Sequence, residues 1–151
     1  GARLIGEDAV SALIEELLPR ASVITPNIPE AQVLCGCELS DEESCERAAV
    51  SLARSLGVNV LVKGGHGAHD ANDVLATCSG ETHWFRHEAI PTSNTHGTGC
   101  TLSSAIACGL ACGLSVPDAV AAAKEYLTGA LSAGLDLGKG SGPLDHMWQN
   151  A

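Results

Sequence analysis

The segment Asn94-Thr-His-Gly-Thr-Gly-Cys-Thr-Leu102 joins a glycine-rich turn to the start of an apolar helix. Gly97 and Gly99 let backbone N–H groups approach a ligand closely, and the helix start adds unpaired donors and a partial positive charge, which together suit a phosphate. The same field favours a thiolate at Cys100, which makes this cysteine a candidate base or nucleophile. On spacing alone, a packed glycine turn with a buried Cys100 explains the segment equally well.

Two further groups follow short strand-like runs. Lys63 begins a Lys-Gly-Gly turn after the run 58–62, and Asn27-Ile-Pro-Glu30 follows the run 22–25. Ligands gather beyond the carboxyl ends of parallel strands, so Lys63 is a candidate phosphate contact and Glu30 a candidate for holding Mg²⁺ through water. Taken one at a time, the residues favour plainer explanations, namely a solvated lysine beside a turn and an acidic first-turn residue stabilised by the helix dipole.

These residues need a frame of helices and strands to position them. A capping box at Ser40-Asp41-Glu42-Glu43 is typical of a helix start. Apolar spacing predicts helices over 7–18, from Pro29 to Gly36, from the capping box to Gly57, and over about 98–114 and 116–133. Strands are predicted over 22–25 and 58–62, with an edge hairpin formed by 73–78 and 82–87. Helices alternating with strands indicate an α/β fold with a mainly parallel sheet.

Composition excludes several functional classes. The 151 residues carry 18 acidic and 8 basic side chains, a net charge of −10, and few aromatic residues, which argues against nucleic-acid and anionic-membrane partners. No apolar run approaches the ~20 residues of a membrane-spanning helix, and no leader is seen, so a cytoplasmic protein is expected. Seven cysteines without a C-x-x-C pair predict free thiols, most of them buried.

Three segments carry a resemblance to a known family. Thr25-Pro-Asn-Ile-Pro-Glu30, Val62-Lys-Gly-Gly-His66 and the segment 94–102, in this order and separation, resemble the hydroxymethylpyrimidine/phosphomethylpyrimidine kinases of thiamine biosynthesis, within the ribokinase-like superfamily. The resemblance covers essentially all 151 residues, including the tail Gly138-Lys-Gly-Ser-Gly-Pro143. It implies a central, mostly parallel sheet flanked by helices. It also implies transfer of the ATP γ-phosphoryl group to a pyrimidine alcohol and then to its monophosphate.

The resemblance also implies a role for each candidate residue. Cys100 takes the place of the catalytic base, where many members of the superfamily have aspartate. Asn27 and Glu30 belong to the Mg²⁺ and phosphate environment, and Lys63 contacts the phosphates of ATP. The anion hole for the transferring phosphoryl group is assigned to Gly97, Thr98 and Gly99. A helix start, a lysine and a metal site are the parts that phosphoryl transfer requires.

The chain departs from the family pattern at its N-terminus. It begins well inside that pattern, so we expect residues 1–151 to be the C-terminal, nucleotide-side portion of a single ribokinase-like kinase domain, without the N-terminal strands and the pyrimidine pocket. Such a portion would have an exposed sheet edge and would not turn over alone. Because family members commonly form dimers, a homodimer is a candidate state.

Three other functions compete with this prediction. Some pyridoxal kinases share the Gly-Thr-Gly-Cys segment, and the acceptor is chosen largely by residues outside this chain. A non-catalytic nucleotide-binding remnant that requires a partner chain is a second alternative. A thiol enzyme with Cys100 as covalent nucleophile is a third, although no His and Asn spacing typical of a triad supports it.

Overall fold

A computed structural model describes residues 6–64, 71–135, 137 and 139–150. The chain divides into two compact units, Gly1–His87 and Glu88–Ala151. The predicted motif residues Gly65, His66 and Gly138 lie outside the described residues. Within the described ranges, no helix combines the length and apolar character needed to cross a membrane.

The first unit is built on a four-stranded sheet. Its strands are β1 (Val23–Ile24), β2 (Asn59–Val62), β3 (Asp73–Ala76) and β4 (Thr82–Phe85), in that spatial order. The β1–β2 pair is parallel, whereas β2–β3 and β3–β4 are antiparallel. The α/β class and the edge hairpin are therefore confirmed. Among the described strands the sheet is mixed and not mainly parallel, because β3 runs antiparallel to both of its neighbours, β2 and β4.

Three helical segments accompany this sheet. The first, α1 (Glu7–Ala12), continues through one π-helical stretch, Leu13–Leu17, and a 3₁₀ turn, Leu18–Arg20. It is followed by α2 (Ile28–Cys35) and α3 (Glu42–Leu56). The capping box of α3 lies one residue later than predicted.

The N-terminus of α3 shows why the predicted cap is displaced. Asp41, not Ser40, is the N-cap, since its Oδ1 accepts from the N–H of Ser44 at 2.7 Å and Ser44 Oγ accepts from the N–H of Asp41 at 3.1 Å. A serine in the third helical position thus replaces the expected glutamate as the reciprocal acceptor.

The core of the first unit lies between α3 and the sheet. α3 presents one apolar stripe, as a helix with one buried face does. The buried residues are Cys45, Ala48, Ala49, Leu52 and Ala53 of α3 together with Ile24, Ala31, Leu39, Val58, Val60, Val62, Val74 and Ala76. The hairpin is held to α3 by Arg86, which donates to both carboxylate oxygens of Glu42 at 2.6 and 2.9 Å, and by Trp84 Nε1, which donates to Glu46 at 2.8 Å.

The second unit is a pair of helices with a packed tail. α4 (Thr98–Ala111) and α5 (Val116–Ser132) approach closely where a side chain on Gly109 would meet Ala119 Cβ at 3.0 Å. The ring of Trp148 lies 2.2 Å from where a Cβ of Gly129 would stand. Both helices are predicted by the sequence, and the two glycines allow close approach at these two points, between the helices at Gly109 and between α5 and the tail at Gly129.

The cysteines differ from the prediction. All seven are described and all are free, as expected. The prediction that most are buried is wrong: Cys45 is buried, Cys35 is half-buried and the other five are exposed. Cys45 lies on the apolar stripe of α3 that faces the core, whereas Cys108 and Cys112 lie on an exposed part of α4 and its end.

Candidate functional site

The first group of candidate residues is the N-terminus of α2. Asn27 is its N-cap: the side-chain Oδ1 accepts from the N–H of Glu30 at 2.8 Å, and Glu30 Oε2 accepts from the N–H of Asn27 at 2.8 Å. The predicted first-turn role of Glu30 is therefore present. The carboxylate is exposed and uses Oε2 in the cap, so Oε1 is the oxygen that could bind a cation.

Lys63 lies beside this helix start. It forms a parallel β-bridge with Asn27 that extends the β1–β2 pairing, and its N–H donates to the carbonyl of Pro26 at 2.8 Å. Its Nζ donates to the carbonyl of Thr25. Burial lowers the pKa of the Lys63 ammonium, and the negative charges of Glu30 and Asp73 oppose that shift. The structure thus brings Asn27, Glu30 and Lys63 together, which the sequence placed only separately, each just after a predicted strand.

Asp73 is a member of this group that sequence reasoning did not identify. It is 6% exposed, and its Oδ1 accepts from the N–H of Gly64 at 2.8 Å. Its carboxylate therefore holds the backbone N–H of Gly64, directly after Lys63, and contributes negative charge near the ammonium. The available signal was an aspartate opening the otherwise apolar strand Asp-Val-Leu-Ala. A buried carboxylate at such a place needs a donor.

The second group lies in the second unit, at the start of α4. Gly97 is the N-cap with φ +85°, a conformation that favours glycine, and it supplies no side-chain cap. The first intrahelical bond runs from the N–H of Thr101 to the carbonyl of Gly97 at 2.9 Å. Helix geometry then directs the N–H groups of Gly99 and Cys100 out of the helix end, where they can bind an anion.

Cys100 is exposed in the first turn of α4. The Oγ of Ser103 donates to the carbonyl of Cys100 at 3.1 Å, which engages the backbone and not the thiol. The alternative of a buried Cys100 in a packed turn is therefore wrong, because the sulfur is accessible to a reactant.

The tail supports the loop that leads to this helix. His96 and Pro143 form a parallel β-bridge, and Asn94 Nδ2 donates to the carbonyl of Leu135. A Cβ on Gly142 would lie 2.0 Å from Asn94 Oδ1, so only glycine fits that approach. The glycine-rich tail is thus positioned against the loop that precedes Gly97.

The described residues contain no cluster of three or more His, Cys, Asp or Glu side chains suited to a metal ion. Magnesium does not require such a cluster, since it is commonly held by one or two carboxylates, waters and substrate phosphates. An exposed Glu30 beside a lysine fits that kind of site.

Comparisons with known proteins show what the whole chain is similar to. A family model described as phosphomethylpyrimidine kinase matches residues 1–145. The hydroxymethylpyrimidine/phosphomethylpyrimidine kinase of Streptomyces coelicolor is 49% identical over 148 residues, which are 98% of this chain and 55% of that protein. Across such curated kinases, the chain spans about half the length of the relatives it matches.

Two solved structures show the same fold. An ADP complex of Bacillus subtilis pyridoxal kinase matches 97% of this chain and 58% of its own with a TM-score of 0.87 and 36% identity. Phosphomethylpyrimidine kinase from Clostridium difficile matches 85% of this chain and 51% of its own with a TM-score of 0.69 and 36% identity. The expected relation to ribokinase-like kinases is thereby confirmed.

Proposed function

Because the chain belongs to the phosphomethylpyrimidine kinase family, we propose that it is the nucleotide-side portion of a kinase domain that phosphorylates a pyrimidine alcohol. The acceptors are 4-amino-5-hydroxymethyl-2-methylpyrimidine and then its monophosphate, with ATP as donor. The observation that carries the proposal is the start of α4, which has no side-chain cap and holds an accessible Cys100 in its first turn.

The start of α4 supplies the electrostatic part of the reaction. Charge develops on the transferring phosphoryl group, and backbone donors at a helix start stabilise that charge without reorganising. We assign this anion hole to Gly97, Thr98 and Gly99, extended by the N–H of Cys100. The N–H of Thr98 donates to the carbonyl of Thr95 at 3.4 Å, so Gly99 and Cys100 supply the available donors of the helix end. The left-handed Gly97 supports the assignment, because it turns the chain abruptly into the helix and keeps side chains away from the donors.

Cys100 is assigned as the base. The acceptor hydroxyl loses its proton to the Cys100 thiolate while its oxygen bonds to the γ-phosphorus of ATP. The bond from that phosphorus to the bridging β–γ oxygen breaks, and ADP leaves with the electron pair. A general base within reach of the hydroxyl contributes about 10²- to 10⁴-fold to such a step.

The residues around Lys63 are assigned to the nucleotide. Lys63 would contact the ATP phosphates as a point charge. Glu30, with Asn27 beside it, would hold Mg²⁺ through water; when bound, that ion neutralises phosphate charge. The partial burial of Lys63 supports this role, since a cation desolvated in the free protein gains more from an incoming anion than a solvated one does.

The proposal is tested with an extended version, in which the chain is preceded by the N-terminal part of the Streptomyces coelicolor kinase that it does not match. We expect ATP-dependent phosphorylation of hydroxymethylpyrimidine and then of its monophosphate, followed by ³¹P NMR. For the Cys100→Ala variant of this extended version, Cys108→Ala is the matched control. Cys108 is also an exposed thiol on α4, two turns further along the helix. A folded extended version that binds ATP and phosphorylates neither acceptor would contradict the assignment.

Pyridoxal kinase is the second candidate function. It is favoured by one observation, the TM-score of 0.87 against the Bacillus subtilis pyridoxal kinase complex. Because the N-terminal part takes part in choosing the acceptor, the rates with pyridoxal and with hydroxymethylpyrimidine are compared at equal concentration in two extended versions. One carries the N-terminal part of the Streptomyces coelicolor kinase and the other carries that of the Bacillus subtilis pyridoxal kinase. A preference for pyridoxal in two extended versions with different N-terminal parts would assign the chain to that reaction.

A further inference from the structure

Two cysteines at the end of α2 lie in direct contact. Cys35 is the last residue of the helix and Cys37 follows after one glycine. Their Sγ atoms are 3.0 Å apart, and no cysteine of the chain is in a disulfide. This separation is about 1 Å longer than a disulfide bond. The pair lies at the opposite end of α2 from Asn27 and Glu30, and the proposed phosphoryl transfer does not use it.

Gly36 lies between the two cysteines and ends the helix. Its φ of +67° and ψ of +23° are left-handed, and its N–H donates to the carbonyl of Gln32 at 2.9 Å, which closes the helix. The distance between the Cα atoms of residues 35 and 37 depends on the dihedral angles of residue 36. Because helical angles of either hand give the same spacing, that distance is ~5.4 Å. Disulfides commonly span 4.4–6.8 Å between Cα atoms, so the Cα separation of the pair lies within the range that a disulfide requires.

We propose that Cys35 and Cys37 form a dithiol site that low-molecular-weight disulfides, such as glutathione disulfide, oxidise to an intramolecular disulfide. Cys37 is exposed and Cys35 is half-buried, so the reagent meets Cys37 first. The second thiol is already within contact distance to complete the exchange.

The exchange proceeds in two balanced steps. The thiolate of Cys37 attacks one sulfur of glutathione disulfide, the reagent's S–S bond breaks, and one glutathione leaves. The thiolate of Cys35 then attacks the Sγ of Cys37 in the mixed disulfide and releases a second glutathione. The two cysteines are oxidised, the reagent is reduced, and the two thiol protons end on the released glutathione molecules.

Mass spectrometry tests the site directly. The chain is equilibrated in glutathione redox buffers, quenched with acid, alkylated and cleaved after glutamate. Cleavage after Glu30 and Glu38 isolates the peptide Ala31–Glu38, whose only cysteines are Cys35 and Cys37. We expect this peptide to lose two hydrogens without gaining glutathione. The ratio of oxidised to reduced glutathione that oxidises half of the Cys35–Cys37 pairs should be at least about tenfold lower than the ratio that glutathionylates half of Cys78. The reason is that the second step of the exchange at the pair is intramolecular.

Two variants test whether oxidation requires both thiols and the left-handed conformation of Gly36. In Cys35→Ala the resolving thiol is gone, so Cys37 should accumulate as a stable mixed disulfide with glutathione. Gly36→Ala keeps both thiols and meets no atom within 4 Å, but the left-handed conformation is strained for alanine. The reduced chain can leave that conformation more easily than the oxidised chain, so oxidation should become about fivefold less favourable. Gly57→Ala makes the same change at the equivalent cap of α3 and should leave oxidation unchanged.

Three results would overturn the proposal. The first is a mixed disulfide that persists on Cys37 in the unmodified chain. The second is a covalent link between Ala31–Glu38 and the peptide Ser44–Glu46, which would make the buried Cys45 the true partner. The third is oxidation of Gly36→Ala equal to that of the unmodified chain while the protein stays folded by circular dichroism.

Discussion

Asn27 and Lys63 pair across a parallel β-bridge at the ends of β1 and β2. Asn27 is therefore both the backbone partner of Lys63 and the N-cap of α2. A half-buried ammonium and an exposed carboxylate, that of Glu30, are thereby fixed on the same backbone frame. Any ligand that contacts one of them meets the field of the other.

Replacing Lys63 by alanine should impair the use of ATP in the extended version. We expect the KM for ATP to rise at least about tenfold, corresponding to ~1.4 kcal/mol, because a charge-assisted contact to phosphate is lost. Arg54→Ala removes an exposed cation from α3 and serves as the control. An unchanged dependence of the rate on ATP concentration would remove Lys63 from the nucleotide site.

The buried position of Lys63 should also appear in the pH dependence of stability. Burial lowers the pKa of Lys63 in the folded chain from its ordinary value of 10.5, so between the lowered value and 10.5 the unfolded chain binds more protons. The free energy of unfolding, relative to that of Lys63→Met, should therefore rise with pH through this window and become constant above it. Urea unfolding from pH 7 to 11 measures the difference. A difference that falls as pH rises would contradict the assigned cause.

The capping box of α2 should be separable from ligand binding. Asn27→Ala should lower the free energy of unfolding by about 1 kcal/mol, since an N-cap side chain is lost. Asp41→Ala removes the corresponding cap of α3 and should cost a similar amount. Only the change at Asn27 should also weaken ATP use in the extended version. Equal ATP use in the two variants would limit Asn27 to a structural role.

Cys100→Ala should separate chemistry from nucleotide binding. In the extended version we expect kcat to fall about 10²-fold or more while the Kd for ATP stays within about twofold, because the base acts on the acceptor hydroxyl. Single-turnover rates and ATP titration measure the two quantities. Transfer at nearly the original rate would show that Cys100 is not the base.

The contact between the thiols of Cys35 and Cys37, at the end of α2, should slow the alkylation of Cys37. The hydrogen bond with Cys35 raises the pKa of the Cys37 thiol, followed by smaller contributions from desolvation and the charge of Cys35, while Arg47 opposes them. In Cys35→Ala the pKa should fall, so alkylation of Cys37 by iodoacetamide near pH 8 should be faster. The difference should disappear at a pH at which both forms are fully thiolate, with Cys78 as the internal reference rate. Slower alkylation in the variant would contradict the cause.

Local signals in the sequence were sufficient for most of the elements. The glycines at positions 36 and 57 end α2 and α3 in the left-handed conformation, as their places after apolar periodic segments predicted. The candidate residues near Lys63 and Asn27 could be grouped because parallel strands end at one edge. The reciprocal cap at Asp41 and Ser44 was displaced by one residue because serine and aspartate both cap well.

Long-range contacts could not be predicted from the sequence. Asp73 reaches Gly64 across the β2–β3 pair, and this contact depends on register, which local patterns do not specify. The prediction that most cysteines are buried is wrong for the same reason. The residue type indicates only the usual environment of a cysteine, whereas the packing of the folded chain determines whether a particular one is buried.

Gly64, which directly follows Lys63, packs closely against the backbone of Asn72. A Cβ at residue 64 would stand 2.1 Å from the carbonyl oxygen of Asn72, which is backbone and cannot rotate away. The neighbouring backbone segments at Gly64 and Asn72 therefore leave room only for the hydrogen of a glycine. In a saturation library, position 64 should accept no other residue without displacing the Asn72 peptide. Variants that test the proposed contact of Lys63 with ATP should therefore keep this glycine.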